Sequence, residues 1–298
     1  MTGTEHAERF TALRPLLFTI AYEILGSATE ADDVLQDSYL RWAGIDLETV
    51  RDSKSYLAQI VTRQSLNALR ATSRRREDYV GPWLPEPLLL DERDASVDAV
   101  LAESVSMAML VVLETLGPDE RAVFVLREVF GFGYEEIAAA VGKPAATVRQ
   151  VAHRAREHVH ARRRRFVPAA DTAQVTEQFM TAAGTGDMEG LLALLAPDVV
   201  WTADSGGKAS AARRPVVGAH RVAPMLRRMF EMGRERPDVR FDIVVCNSAP
   251  ALVVHSGEHL EGVFLLEIAD GVITHFYAVR NPDKLAAIAV PRSISRER

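Results

Sequence analysis

Apolar residues recur every three or four positions from Phe10 to Arg76, the period of helices with one buried face. Leu13, Leu16, Leu17, Ile20 and Ile24 form one stripe, and Val34, Leu35, Tyr39 and Trp42 form another. The pattern predicts three helices, over about 7–25, 29–43 and 53–75. Thr29 followed by Asp32 has the form of a capping box with a shorter acid, and Ser53 is the expected N-cap of the third helix. The prolines of Gly81-Pro82-Trp83-Leu84-Pro85-Glu86-Pro87 then fix φ and remove backbone donors, opening an acidic linker that runs to about residue 97. Helical periodicity returns over 98–165, broken at Gly117-Pro118, Gly131-Phe132-Gly133 and Gly142-Lys143-Pro144, which predicts four helices with the last two short and close together. Beyond Pro168 the character changes. Two helices (about 171–184 and 187–196) lead to an alternating segment at Val199-Val200-Trp201, and an amphipathic helix follows over about 219–232. Arg240–Asn247, Ala251–His255 and His259–Val279 are β-rich, the last folding at the hairpin signal Asp270-Gly271. Helices followed by antiparallel strands read as an α+β domain.

The sharpest local motif is residues 134–155, YEEIAAAVGKPAATVRQVAHRA. A helix-turn-helix needs a small residue where its helices touch, a glycine able to turn with positive φ, and apolar residues that lock the second helix to the first. Ala138, Gly142 and the set Ile137, Val141, Val148 and Val151 meet those needs, and Pro144 suits the first turn of the second helix. With Val148, Val151, Ala152, Ala155 and Val159 inward, the opposite face carries Arg149, His153, Arg156 and His160, with Gln150 and Arg154 at its margins. Such groups read base edges or hold phosphates.

Charge sharpens this picture. The net charge of −6 hides a segregation: residues 60–77 carry 5 basic groups and 1 acidic, and residues 142–165 carry 8 and 1, whereas residues 78–141 carry 3 and 13. Two basic islands in an acidic background suit a chain that touches DNA at two separated places. In the second helix Asp32, Asp33, Gln36 and Asp37 share one side. In the third, Arg63, Asn67, Arg70 and Arg74 lie opposite the buried Tyr56, Leu57, Ile60 and Val61, a mixed face able to hold phosphates and separated bases. Length allows two or three domains. With no long apolar run and no signal peptide, the expected location is the cytoplasm, without a membrane partner. The lone Cys246 excludes an internal disulfide and a multi-cysteine metal site, and its apolar surroundings make it a core residue.

The succession of ADDVLQDSYLRW, SYLAQIVTRQSLNALRATSRRR and LGPDERAVFVLREVFGFGYEEIAAAVGKPAATVRQVAHRAREH resembles regions 2 and 4 of an extracytoplasmic-function sigma factor, over about residues 8–163. Trp83-Leu84-Pro85-Glu86-Pro87, Asp204-Ser205-Gly206-Gly207-Lys208 and Asn281-Pro282-Asp283-Lys284-Leu285 resemble motifs of the subgroup with a fused SnoaL-like domain. The middle motif has Ser205 where the subgroup has Gly and Lys208 where it has Arg. The resemblance implies a multi-domain protein, two all-α sigma modules followed by an α+β cone-shaped barrel. Its parts are region 2 (7–78), a linker (79–97), region 4 (98–165), the SnoaL-like domain (170–280) and a tail (281–298). It also implies that Asp32, Asp33, Gln36 and Asp37 dock on core RNA polymerase, whose β′ and β subunits are the partners. Arg63, Gln64, Asn67, Arg70 and Arg74 would meet the minus-ten element of promoter DNA, and Thr147, Arg149, Gln150, His153 and Arg154 the minus-thirty-five element.

By the same resemblance the three motifs are regulatory: Trp83, Leu84, Pro85, Glu86 and Pro87 would meet Asp204, Gly206 and Gly207, and Asn281, Pro282, Asp283, Lys284 and Leu285, with no separate anti-sigma factor required. No catalytic residue, metal or cofactor is expected. The barrel could hold a small molecule, with Trp201, His255, His259, His275 and Tyr277 as candidate lining. The alternatives are a ligand-responsive helix-turn-helix repressor and an enzyme with a DNA-binding appendage.

Overall fold

Gly26 decides where the second helix begins. In the computed structural model, which describes residues 2–90, 98–162 and 172–296 (backbone alone at 2, 3 and 73–77), Gly26 has φ 70° and ends α1 (Thr2–Leu25). Ser27 is left extended, and its hydroxyl accepts from the Glu30 amide at 3.0 Å, so α2 (Ala28–Trp42) is capped by Ser27 and not by Thr29. The cap of α3 (Ser53–Glu77) also shifts by one: the Asp52 carboxylate accepts from the amides of Lys54 and Ser55, which puts Ser53 inside the helix. Leu17, Ile20, Ile24, Leu35, Trp42 and Leu57 fill the core between these three helices.

The next module holds α4 (Ala99–Ser104), α5 (Met107–Leu113), α6 (Pro118–Phe124), α7 (Tyr134–Val141) and α8 (Ala145–Arg162). The single helix expected before Gly117 is two, because the Ser106 hydroxyl accepts from the Met109 amide and starts a new turn. α6 runs on into a widened π turn over Val125–Val129. α8 is 18 residues long, not short, since Val148, Val151, Ala152, Ala155 and Val159 keep one face buried along it. Gly142 takes φ 70° and its amide returns to the Ala138 carbonyl, which makes the turn between α7 and α8.

The C-terminal domain places α9 (Ala173–Thr185), α10 (Met188–Leu194) and α11 (Ala219–Glu235) over a curved sheet of β1 (Leu195–Asp204), β2 (Val216–Val217), β3 (Val239–Cys246), β4 (Ala249–Ser256), β5 (His259–Ala269) and β6 (Val272–Val279), followed by α12 (Pro282–Leu285). The strand order is β2-β1-β6-β5-β4-β3, antiparallel throughout except for a parallel β1–β6 pair, which the expectation of antiparallel strands did not include. Strand alternation divides the sheet into two buried faces. Trp201, Phe264 and Phe276 face the domain's own helices with Phe179 and Phe230. Val263, Leu265, Tyr277 and Val279 face the other way and pack with Leu84 of the linker, Met107 of α5 and Leu285 of α12.

Candidate functional site

The three proline- and glycine-bearing motifs meet at one point. Asp204 ends β1 with 0% exposure, and its Oδ2 accepts from the Leu84 amide at 2.8 Å and from Lys284 Nζ at 2.7 Å. Its Oδ1 accepts from the Tyr79 hydroxyl. Lys284, 4% exposed, also donates to the Leu84 carbonyl at 2.6 Å and stands 3.2 Å from the centre of the Trp83 ring. A buried ion pair is retained only when its remaining donors and acceptors are met, and here they are met by the linker itself. Burial pushes the Lys284 ammonium below the usual lysine range, while Asp204 holds it up. Burial also raises the Tyr79 hydroxyl, and the adjoining Asp204 carboxylate adds to the rise.

Asn281 joins this cluster from the other side. Its Oδ1 accepts from the Asp283 amide, capping α12, and its Nδ2 donates to Tyr79 Oη at 2.8 Å. Gly206, at φ 56°, lies so close that a Cβ there would stand 2.6 Å from Asn281 Nδ2 and 2.9 Å from Tyr79 Oη. Gly207 abuts Val80. Lys208 pairs with Asp283 at the surface, so the lysine keeps a single charge contact where an arginine would offer a fork.

Glu86 fastens the same linker to the N-terminal module. Its carboxylate accepts from the Ser27 hydroxyl (2.8 Å) and the Thr29 amide (3.0 Å) at the start of α2, its amide donates to the Gly26 carbonyl, and its carbonyl accepts from Tyr22. A carboxylate at a helix N-terminus also answers the helix dipole. Sequence reasoning missed the next contact. Asn247, fully buried in the β3–β4 turn with φ 51°, donates its amide to the Leu88 carbonyl and accepts from the Leu88 amide, and its Nδ2 donates to Tyr22 Oη and to the Val105 carbonyl. One side chain therefore holds the linker and both helical modules. An asparagine in a turn was the only signal.

The segment after α12 returns to the N-terminal module. Arg292 donates its amide to the Leu89 carbonyl and pairs with Asp32 Oδ2 at 2.7 Å, while Arg14 takes Asp32 Oδ1 at 2.9 Å. Ile294 is buried in the core that the two helical modules share, and the Ser295 amide donates to Thr19 Oγ1. Asp32 is thus paired, whereas Asp33, Gln36 and Asp37 are exposed beside Leu40, itself 72% exposed.

The basic faces are in different states. On α8, Arg149, Gln150, His153 and Arg154 are exposed and Thr147 is half-buried; Arg149 and Arg154 make surface pairs with Glu135 (3.4 Å) and Glu120 (3.7 Å), and Arg149 also lies over the Tyr134 ring. On α3 Arg63 and Arg70 remain at the surface, but both are engaged by neighbouring helices. Arg63 Nη2 donates to the Ala139 carbonyl at 2.6 Å and its Nε toward the Ala140 carbonyl, both at the C-terminal end of α7. Gln59 reaches the Ala139 carbonyl as well, and Arg70 pairs with Asp119, which Lys143 also holds. Gln64, with its carbonyl oxygen turned to accept, takes Arg41 Nε at 2.8 Å, and Asn67 is exposed. The Arg74 side chain, residues 163–165 and the linker stretch 91–97 lie outside the described residues.

Of the candidate cavity residues, only Trp201 faces the interior. His275 and Tyr277 sit on the opposite face of β6, where His275 meets Thr202 and Tyr277 meets Glu267. His255 lies near Asp242, and His259 is exposed. Cys246 is buried, and burial pushes its thiol up to about 12. Among the described residues no cluster of three or more His, Cys, Asp or Glu could hold a metal, and no helix is long and apolar enough to cross a membrane.

Residues 9–75 match Sigma-70 region 2, residues 106–159 match Sigma-70 region 4, and residues 176–276 match the SnoaL-like domain. The ECF RNA polymerase sigma factor SigJ of Mycobacterium tuberculosis is 40% identical over 72% of this chain and 69% of its own. A probable ECF RNA polymerase sigma factor, SigI, from the same organism is 32% identical over 92% of both chains. The crystal structure of the M. tuberculosis extracytoplasmic function sigma factor SigJ superposes with a TM-score of 0.75 at 28% identity, covering 95% of this chain and 99% of that one.

Proposed function

Because the chain belongs to the ECF RNA polymerase sigma factors and carries a SnoaL-like domain behind its two sigma regions, we propose that the closed form described above is its silent state, locked by that domain. Promoter recognition requires opening. The repressor and enzyme alternatives are set aside, since both sigma regions match and the likeness to SigJ spans nearly the whole chain.

The observation that carries the reading is Arg63 spending its guanidinium on the carbonyls of Ala139 and Ala140. While Arg63 holds these carbonyls, its Nη2 and Nε donors are not offered to a phosphate or a base of the minus-ten element. Geometry leads to the same point. Elements named for positions about 25 base pairs apart are separated by roughly 85 Å along B-form DNA, at about 3.4 Å per base pair. Helix α3 touches α7 directly in the closed form, so region 2 and region 4 cannot read both elements until that contact breaks.

In the open form, Asp33, Gln36 and Asp37, and Asp32 once released by Arg292, dock on the β′ subunit with Leu40 at their edge. Arg63, Gln64, Asn67, Arg70 and Arg74 engage the minus-ten element, and the α8 residues Thr147, Arg149, Gln150, His153 and Arg154 read the minus-thirty-five element. The lock consists of Asp204–Lys284 on Leu84, Asn247 across Tyr22, Leu88 and Val105, and Arg292 on Asp32. Intramolecular contacts act at effective concentrations up to about millimolar, so modest surfaces suffice to hold it without a separate anti-sigma protein. Core polymerase, binding the open form better, shifts the population toward it.

The test is to bridge α3 to α7. Cysteines placed by Gln59→Cys and Ala139→Cys are joined by a short bis-methanethiosulfonate, leaving the buried Cys246 untouched. Promoter-dependent transcription with core polymerase should be lost on bridging and return with dithiothreitol. Equal transcription by the bridged chain would refute the closed form as the silent one.

A further inference from the structure

The sheet face turned away from the lock encloses a half-open cavity of about 440 Å3, against α11. Small-molecule sites commonly span about 300–1,000 Å3 and are mostly apolar with a few polar groups at one end. Trp201, Phe241 and Phe264 from three strands and Met225, Met229 and Met232 from α11 supply its apolar wall. Methionines are unbranched and polarizable, and suit a wall that must adapt to a guest. Met232 is 48% exposed, a cost in water that a guest would remove. Gly233 shapes the closed end: a Cβ there would stand 2.3 Å from Phe241, so glycine is what allows that ring to lie against α11.

The mouth sets the charge of the guest. Arg280 donates to the Ser210 carbonyl at 2.5 Å and to Glu261 at 3.4 Å, and Arg236 is held by Asp238 and Ser256. The guanidinium groups at the mouth already face carboxylates, so an ionic ligand would have to displace one of them. An uncharged ligand need only offer a hydrogen bond to the Arg280–Ser210 contact.

We propose that this cavity binds an uncharged, predominantly apolar small molecule with one polar end, and that occupancy is transmitted to the lock through Arg280. Arg280 both lines the cavity and precedes Asn281, and its amide donates to the Asp204 carbonyl at 2.7 Å. Displacing its side chain therefore strains the two residues that hold Tyr79. The transmission half rests on the reading of the lock given above; the binding half does not.

The uncharged probe N-phenyl-1-naphthylamine tests both halves on the full chain. It should bind saturably at one site, with tryptophan energy transfer per bound probe that falls in Trp201→Phe, since Trp201 lies in the cavity wall and Trp83 and Trp42 do not. The anionic 1-anilinonaphthalene-8-sulfonate should bind at least tenfold more weakly. Ala212→Trp and Met232→Trp, at the loop and the exposed edge of the cavity, should each weaken the probe at least tenfold with unchanged thermal unfolding. Unsaturable binding, transfer per bound probe undiminished in Trp201→Phe, or full affinity in both natively melting tryptophan variants would overturn the site, and equal affinity for the sulfonate would overturn the ligand class. For transmission, saturating probe should change hydrogen exchange at the Arg280 and Leu84 amides at least threefold. Saturable binding with no change there would overturn transmission alone, and the α3–α7 bridge tests the lock without any probe.

Discussion

Lys284→Met is the substitution that should release the linker most directly. It removes a cation that is 4% exposed, donates at 2.7 Å to Asp204 and at 2.6 Å to the Leu84 carbonyl, and covers the Trp83 ring. Asp204 would keep its two remaining donors, Leu84 and Tyr79, but would stand as a buried carboxylate without a counter-charge. Breaking a buried pair on one side costs about 3–5 kcal/mol. At about 1.4 kcal/mol per factor of ten, the lower figure is already about a hundredfold increase in the open population. The Leu84 amide reports on it, because its acceptor Asp204 is still present in the variant. Native-state hydrogen exchange at Leu84 should therefore accelerate about a hundredfold or more. Adding Asp204→Asn removes the orphaned charge as well and should recover part of the loss, since replacing both partners is far cheaper than removing one. An acceleration below tenfold, or a double variant worse than the sum of the singles, would show that the pair does not hold the linker.

Glu23 gives a pH dependence of definite sign. Burial raises its carboxyl from 4.5 to about 8, against the opposing pull of Ser104 and Arg121, so from about pH 4.5 to 8 the unfolded chain loses a proton that the folded chain keeps, and stability falls across that window. Glu23→Gln should flatten this part of the profile and melt higher than the parent at pH 8, and parallel melting profiles from pH 5 to 8 would contradict the assignment. Gly206→Ala should destabilise the lock by about 1–3 kcal/mol through its positive φ and the contacts with Asn281 and Tyr79, more than Gly257→Ala, where φ is also positive but the space is open; urea denaturation of the two variants side by side decides. Arg292→Ala should free Asp32 Oδ2, leaving Oδ1 on Arg14, and tighten binding to core polymerase several-fold by fluorescence anisotropy, whereas unchanged affinity would mean that the Arg292–Asp32 pair does not restrain docking.

The helical half was legible because its signals are local. Gly142 adopts the left-handed turn that the motif demanded, and Val148, Val151, Ala152, Ala155 and Val159 all point inward, since a period of 3.6 assigns the faces of one long helix without reference to anything else. What failed depended on partners remote in sequence. Asn247 looks like any turn residue until Tyr22 and Val105 arrive, 225 and 142 positions away. His275 and Tyr277 were placed in the cavity although period-two alternation with the inward Phe276 excludes them; which face is inward became visible only with the β1–β6 pairing. The caps moved to Ser27 and Asp52 because the backbone had already turned at Gly26 in one case, and because an acid one position earlier reached the same amides in the other.

Residues 281–296, which complete the lock, are synthesised well over a hundred residues after α8. At about 5–20 residues per second the two sigma modules leave the ribosome on the order of ten seconds before these residues do. During that interval a nascent chain has α3 and α8 with the α3–α7 contacts between its sigma modules, but without the bonds of Lys284 and Arg292 that complete the lock. On the reading of the lock proposed above, silence is acquired only once residues 281–296 have emerged, and a ribosome that stalls before them would display an unlocked sigma factor tethered to its own message.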